Sequence, residues 1–74
     1  MWEYISDTRV GREYIIELLR EFNTDSRHIS GAWISTLTIR RDKEMIFYYL
    51  MGTVVDKMDE RDREVYQEII EQYN

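Results

Sequence analysis

The chain has 74 residues, a net charge of −5 and no cysteine. This length corresponds to one domain, so residues 1–74 are treated as a single unit. The lack of thiols excludes disulfides, thiolate metal sites and cysteine nucleophiles. Because a core this small hides only about 60% of the unfolded chain's surface, the sequence favours oligomerisation as a further source of buried area.

Charge is unevenly distributed along the chain. Residues 1–43 contain seven basic and seven acidic side chains, whereas residues 44–74 contain three basic and eight acidic ones. Between Arg27 and Lys43 the net charge is +3. A weakly basic middle therefore precedes an acidic C-terminal third.

Neither a signal peptide nor a membrane span is evident. Residues 1–7 lack the basic region and apolar stretch of a signal peptide. The longest uncharged apolar run, residues 45–55, has about half the length that a membrane span needs. We therefore expect no membrane association and a cytoplasmic location.

The first predicted element is a helix over residues 8–22. Its apolar side chains recur at helical spacing, and Ser6 or Asp7 is suited to cap its first amides. Asn23 is suited to its end. The apolar stripe of this helix consists of Val10, Tyr14, Ile15, Leu18, Leu19 and Phe22.

The middle of the chain has two interpretations. Residues 30–39 are rich in poor helix formers, and one prediction is a short irregular or helical piece within residues 26–39. The alternative is a β-hairpin through residues 40–43 into residues 45–49, which gives an α-β-β-α order. The all-helical arrangement is preferred because residues 40–43 lack the Gly or Asn of a tight hairpin turn.

Residues 43–58 are predicted to form the central helix. Its apolar side chains cover one broad face, and its other side carries two tyrosines, a methionine and a glycine. Tyrosine is enriched at protein interfaces, so we expect this second side to meet a second copy of the chain, as a homodimer, or a larger protein partner. The interface candidates are Met45, Tyr48, Tyr49 and Gly52.

The last predicted element is a helix over residues 60–73. Asp59 is its cap, and Glu60 and Asp62 lie in its first turn, where the helix dipole favours carboxylates. Its apolar stripe consists of Val65, Tyr66, Ile69, Ile70 and Tyr73. The predicted fold is therefore a compact, dimeric all-α domain of three or four helices.

Two segments resemble a family of DNA-binding regulators. Residues 12–23 resemble the first helix of DeoR-type helix-turn-helix proteins, and residues 34–42, Ile-Ser-Thr-Leu-Thr-Ile-Arg-Arg-Asp, resemble their turn and recognition helix. The resemblance implies that a helix-turn-helix-like segment 26–43 contacts phosphates and base edges of DNA. The possible DNA-binding residues are Arg27, His28, Ser35, Thr38, Arg40, Arg41 and Lys43.

No residue pattern indicates catalysis, a cofactor or a metal site. The chain has one histidine, His28, and zinc sites without Cys or several His are uncommon. A serine nucleophile would lack an evident base and orienting group. We therefore expect a protein that is not an enzyme and that needs neither cofactor nor metal.

The leading functional hypothesis is a small non-enzymatic regulatory or inhibitory protein that acts by protein–protein binding. Accessory factors of phages, plasmids and bacterial control circuits have this size and character. The alternative is a DNA-binding transcriptional regulator that uses residues 26–43, where the basic side chains are concentrated.

Overall fold

Five strands and one helix make up the structure, a computed structural model that describes all 74 residues, Met1–Asn74. The strands form one antiparallel sheet whose spatial order is their order along the chain. They are β1 (Trp2–Arg9), β2 (Arg12–Arg20), β3 (Ile34–Arg41), β4 (Glu44–Leu50) and β5 (Thr53–Asp56), and helix α1 (Glu60–Tyr73) follows them. A 3₁₀ turn at Ile29–Gly31 interrupts the long β2–β3 connection.

The other three strand connections are two-residue turns. In each turn both residues have positive φ, which is the requirement of the type I′ hairpin turn. The turns are Val10–Gly11 (49° and 75°), Asp42–Lys43 (49° and 71°) and Met51–Gly52 (44° and 94°). Their twist matches that of the strands they join, so each turn fixes a register between neighbouring strands.

Alternation along the strands separates the two faces of the sheet. Successive strand residues point to opposite sides, and β2 buries Tyr14, Ile16 and Leu18 on one of them. The pairing with β3 aligns Ile16 with Ile39. This inner face is therefore a continuous apolar layer.

Helix α1 covers the inner face and completes the core. Its Val65 and Ile69 are buried, and the ring centroid of Tyr66 lies 5.0 Å from that of Phe47 on β4. The helix and the sheet together enclose one cluster of 12 buried apolar residues. The domain thus has two layers around a single core.

Polar contacts fix both ends of α1. At its start Asp59 and Asp62 form a capping box, in which each backbone N–H donates to the other residue's carboxylate at 2.9 Å. At its end the Asn74 side-chain oxygen accepts hydrogen bonds from the backbone N–H groups of Trp33 and Ile34, both at 3.0 Å. The helix is therefore tied to the β2–β3 connection as well as to the core.

The predicted all-α fold is wrong, because half of the chain forms strands of one sheet. The predicted helix over residues 8–22 is the end of β1, a turn and β2, and the predicted helix over residues 43–58 is β4, a turn and β5. Short apolar runs satisfy both the helical and the strand period. In β2 the period of two places Tyr14, Ile16 and Leu18 on one side, which the helical interpretation overlooked.

Two parts of the sequence interpretation agree with the structure. A hairpin is present between β3 and β4, although the α-β-β-α order of that alternative is wrong, since strands precede the hairpin. The helix over residues 60–73, capped by Asp59, is confirmed. No helix in the structure has both the length and the apolar character that crossing a membrane requires.

Candidate functional site

The side of the sheet opposite α1 is uncovered. We term it the open face, and it consists of the strand residues that alternate with the core residues. Its large apolar side chains come from every strand except β3, which contributes Thr36, Thr38 and Arg40. These apolar residues are Trp2, Tyr4, Ile15, Leu19, Met45, Tyr48, Leu50 and Val55.

The register arranges the open face in rows across the strands. One row runs from Trp2 on β1 through β2, β3 and β4 to Thr53 on β5, in the order Trp2, Leu19, Thr36, Leu50, Thr53. The next row is Tyr4, Glu17, Thr38, Tyr48, Val55. On β1 the rings of Trp2 and Tyr4 are stacked with centroids 6.5 Å apart. The aromatic side chains therefore flank a narrower polar strip on β3.

Exposure separates most large apolar residues of the two faces, although Val54 at the β5 edge of the inner face is 52% exposed. On the open face Trp2 is 50% exposed, Tyr4 71% and Leu50 42%, whereas Leu18 and Leu37 on the inner face are fully buried. Isolated exposed apolar residues are ordinary, but contiguous ones mark contact surfaces. The open face has two such groups, one on β1 and β2 and one on β4 and β5, on either side of the polar strip of β3.

An ion pair lies near the centre of the open face. Arg40 donates a hydrogen bond from Nη1 to Oε1 of Glu17 at 3.0 Å. Since Glu17 pairs with Thr38 and Arg40 pairs with Ile15, the contact runs diagonally between β2 and β3. Both side chains are partly exposed, and such a pair contributes little to stability on its own.

The predicted interface residues divide between the two sides of the sheet. Met45 and Tyr48 lie on the open face. Tyr49 points to the other side, where its hydroxyl donates to the Arg27 carbonyl oxygen at 2.5 Å. Gly52 occupies the β4–β5 turn.

The possible DNA-binding residues do not form one surface. The family resemblance predicts helices within residues 12–23 and 34–42. The structure has strands β2 and β3 there instead. Three candidates are buried, namely His28, Ser35 and Thr38, the last of which is on the open side of β3. Arg40 lies on the open face, Arg41 faces α1, and Arg27 and Lys43 are exposed outside the sheet.

Two of these candidates are held by their own neighbours in the β2–β3 connection. The ring of His28 lies with Nδ1 2.7 Å from the Ala32 carbonyl oxygen and with Nε2 2.9 Å from the Glu21 carboxylate. Arg27 pairs with Asp25 at 3.0 Å. The Arg27 side-chain hydrogen bonds, followed by its backbone N–H, lower the pKa of Asp25 to about 2. These contacts stabilise the connection and leave little free positive charge there.

A second polar cluster joins the sheet to the start of α1. The fully buried Asp62 accepts hydrogen bonds from the Tyr14 hydroxyl at 2.7 Å and from Arg12 Nη1 at 3.1 Å. Arg41 contacts the other carboxylate oxygen. Burial, and then the contact with Asp62, raises the pKa of the Tyr14 hydroxyl.

Asp59 completes this cluster at the helix cap. The backbone N–H of Asp62 and then the Arg12 guanidinium lower the pKa of Asp59 to about 2. Two arginines therefore face two carboxylates, and every charge has a partner within the fold. The arrangement joins two elements and offers no free acid, base or nucleophile.

The remaining concave sites are three surface depressions with volumes of about 260, 290 and 450 Å³. A cavity of about 260 Å³ lies at one end of the sheet, between Met1, Arg20, Glu21, Phe22 and Trp33. No three His, Asp or Glu side chains are arranged to hold a metal ion. The open face is therefore the candidate binding surface of this structure. Comparisons with protein-family models, with curated proteins and with solved structures find no match to this chain.

Proposed function

We propose that this protein is a small non-enzymatic regulatory or inhibitory protein that acts by binding another protein through its open face. The observation that carries the proposal is the set of exposed apolar side chains on β1–β2 and on β4–β5, which lie on both sides of the polar strip of β3 on the face opposite α1. Such patches mark contact sites, and Trp and Tyr supply large contact areas with a polar tip. A cytoplasmic location belongs to the proposal, since small secreted domains are usually rich in disulfides.

The charges of the open face favour a protein over a nucleic acid as the partner. Its charged residues are Glu13, Glu17 and Arg40, and the last two are paired. Surfaces that bind nucleic acids carry clustered Lys and Arg and a positive potential. The chain as a whole has a charge of −5, so the DNA-binding alternative has the weaker physical support.

The test compares partner capture by three forms of the protein in lysates of its native cells, with and without nuclease treatment. They are the wild type, an open-face variant (Tyr4→Ser with Tyr48→Ser) and a control variant on the exposed side of α1 (Gln67→Ser with Glu71→Ser). We expect one protein partner to be retained by the wild type and the control and lost by the open-face variant. Far-ultraviolet circular dichroism checks that all three are folded.

Two results would overturn the proposal. One is the absence of any protein partner, and the other is a partner that the open-face variant retains in full. Capture that disappears on nuclease treatment would favour the DNA-binding alternative instead.

A further inference from the structure

We infer that a second copy of the chain covers the open face of the free protein, with the two sheets packed face to face about a two-fold axis. The inference rests on the proposed function, because it names the occupant of the same protein-binding surface. The heterologous partner then displaces this second copy. The charges of the open face and its size carry the argument.

The Glu17–Arg40 ion pair determines what kind of partner surface can pack against the open face. Glu17 and Arg40 are surrounded by apolar side chains, with Tyr4 and Leu19 on the β1–β2 side and Tyr48 on the β4 side. A wholly apolar partner would remove water from both charges without offering them any new hydrogen bond. This desolvation is unfavourable for a charged pair. A strongly acidic or basic partner would satisfy one charge and repel the other. The matching surface carries one acid and one base, a few ångströms apart, within an apolar surround.

The centre of a second copy's open face is such a surface, since the remaining charge of that face, Glu13, lies at the end of β2 beside the β1–β2 turn. A two-fold axis in the plane of the contact, midway between Glu17 and Arg40, places Glu17 of each copy opposite Arg40 of the other. Two-fold interfaces are self-complementary in this manner, since each patch meets its own equivalent. The four charges then alternate in sign, and the Tyr and Trp side chains pack around them.

The area is adequate for a reversible dimer. Strands of seven to nine residues, at about 3.3 Å per residue and about 4.8 Å between strands, give a face of roughly 20 by 25 Å. Packing two such faces removes on the order of 1,000 Å² in total, which is at the lower limit for a specific interface. A dimer of this size is weak enough for a tighter-binding partner to displace one copy.

The test uses charge reversal and its rescue. Sedimentation equilibrium over a concentration series gives the dimer dissociation constant of the wild type and of Glu17→Arg and Arg40→Glu separately. Each substitution gives the face two like charges, so we expect each dissociation constant to rise at least about tenfold. An equimolar mixture of the two variants restores opposite charges across the axis, and we expect its dissociation constant to return to within about threefold of the wild type.

Matched controls carry the same charge changes on the exposed side of α1. Glu71→Arg and Arg61→Glu occupy exposed positions there, and we expect each to change the dissociation constant less than about twofold. If a reversal variant fails to fold, Glu17→Gln and Arg40→Gln remove one charge each. They are expected to weaken the dimer by roughly threefold.

Three results would overturn the inference: a wild type that is monomeric at about 1 mM, a dimer insensitive to both reversals, or a mixture that shows no rescue. The experiments distinguish a failure of this inference from a failure of the proposed function. A monomer that captures a partner through Tyr4 and Tyr48 contradicts only the dimer, whereas a rescued dimer that captures no other protein contradicts only the proposed function.

Discussion

Asp62 is the residue on which the joint between sheet and helix depends. Its carboxylate is fully buried, and both of its oxygens have donors. Oδ1 accepts from Tyr14 and Arg12, and Oδ2 accepts from the backbone N–H of Asp59 and from Arg41. A buried charge costs several kcal/mol unless it is paired in this way. The same carboxylate thereby caps α1 and anchors β2 and β3.

Replacing Asp62 with alanine should lower the free energy of unfolding by about 3–5 kcal/mol, because the substitution leaves arginine charge and a tyrosine hydroxyl without their buried acceptor. Urea denaturation monitored by circular dichroism measures the loss. Glu60→Ala, an exposed position in the same helical turn, should change stability by about 0.5 kcal/mol or less. A loss below about 1 kcal/mol for Asp62→Ala would show that the cluster does not hold the helix.

At the scale of elements, α1 could be predicted and the sheet could not. The helix is marked by Asp59 at its cap, by carboxylates in its first turn and by one apolar stripe, and these signals agree with one another. The hairpin turns lack the usual Asn-Gly or Asp-Gly pair. Two of them place an apolar residue before glycine, at Val10–Gly11 and Met51–Gly52, and the third has no glycine. Gly52, which follows the apolar run 45–51, was the clearest signal that the sequence offered for a turn.

The open face was only partly predictable for a related reason. Adjacent residues cannot both point into one core, and this constraint holds in a strand as in a helix. In the strand it places Tyr48 and Tyr49 on opposite sides, whereas the helical prediction assigned both of them to the interface. The proximity of Trp2 to Leu19, and of Leu19 to Leu50 two strands away, depends on register. No local pattern of residues contains that information.

The β3–β4 turn offers a test at this scale. Lys43 has a φ of 71°, a conformation that costs a residue with a Cβ about 1–2 kcal/mol and costs glycine almost nothing. Lys43→Gly should therefore raise the free energy of unfolding by about 0.5–1 kcal/mol in urea denaturation, after glycine's greater chain entropy is included. Lys57→Gly, where φ is not positive, should instead lower it. Equal losses for the two variants would contradict a left-handed conformation at Lys43.

On the scale of the whole molecule, α1 covers most of one side of the sheet and the other side is exposed. Only 16 of the 74 residues are buried, and the core depends on a single helix. Small changes at the interface between α1 and the sheet should therefore affect global stability. Tyr14 lies at this interface. Its ionisation allows the effect of the interface on global stability to be measured by changing the pH.

Stability should fall at alkaline pH in a manner that depends on Tyr14. Its pKa is raised above the ordinary value of 10.0, so the unfolded chain releases this proton first as the pH rises. The stabilising contribution of Tyr14 is therefore complete below pH 10 and is lost above it. Relative to Tyr14→Phe, the wild type should be more stable by about 1.5–3 kcal/mol at pH 8, the range for a hydrogen bond to a charged group.

That advantage should shrink as the pH rises above 10. Urea denaturation of the two proteins at matched pH values measures the difference, and Tyr4→Phe, at an exposed ring, serves as the control. A difference between wild type and Tyr14→Phe that stays constant or widens with pH would contradict the raised pKa.

The order of the strands has a consequence for synthesis on the ribosome. Every strand pairs with its neighbour in sequence, so each hairpin can close soon after its residues emerge, as contacts between sequence neighbours form quickly. Helix α1, which packs on the inner face, is synthesised after all five strands. Until it emerges, the nascent sheet exposes apolar side chains on both of its sides, and this interval is when we expect the chain to be most prone to aggregation.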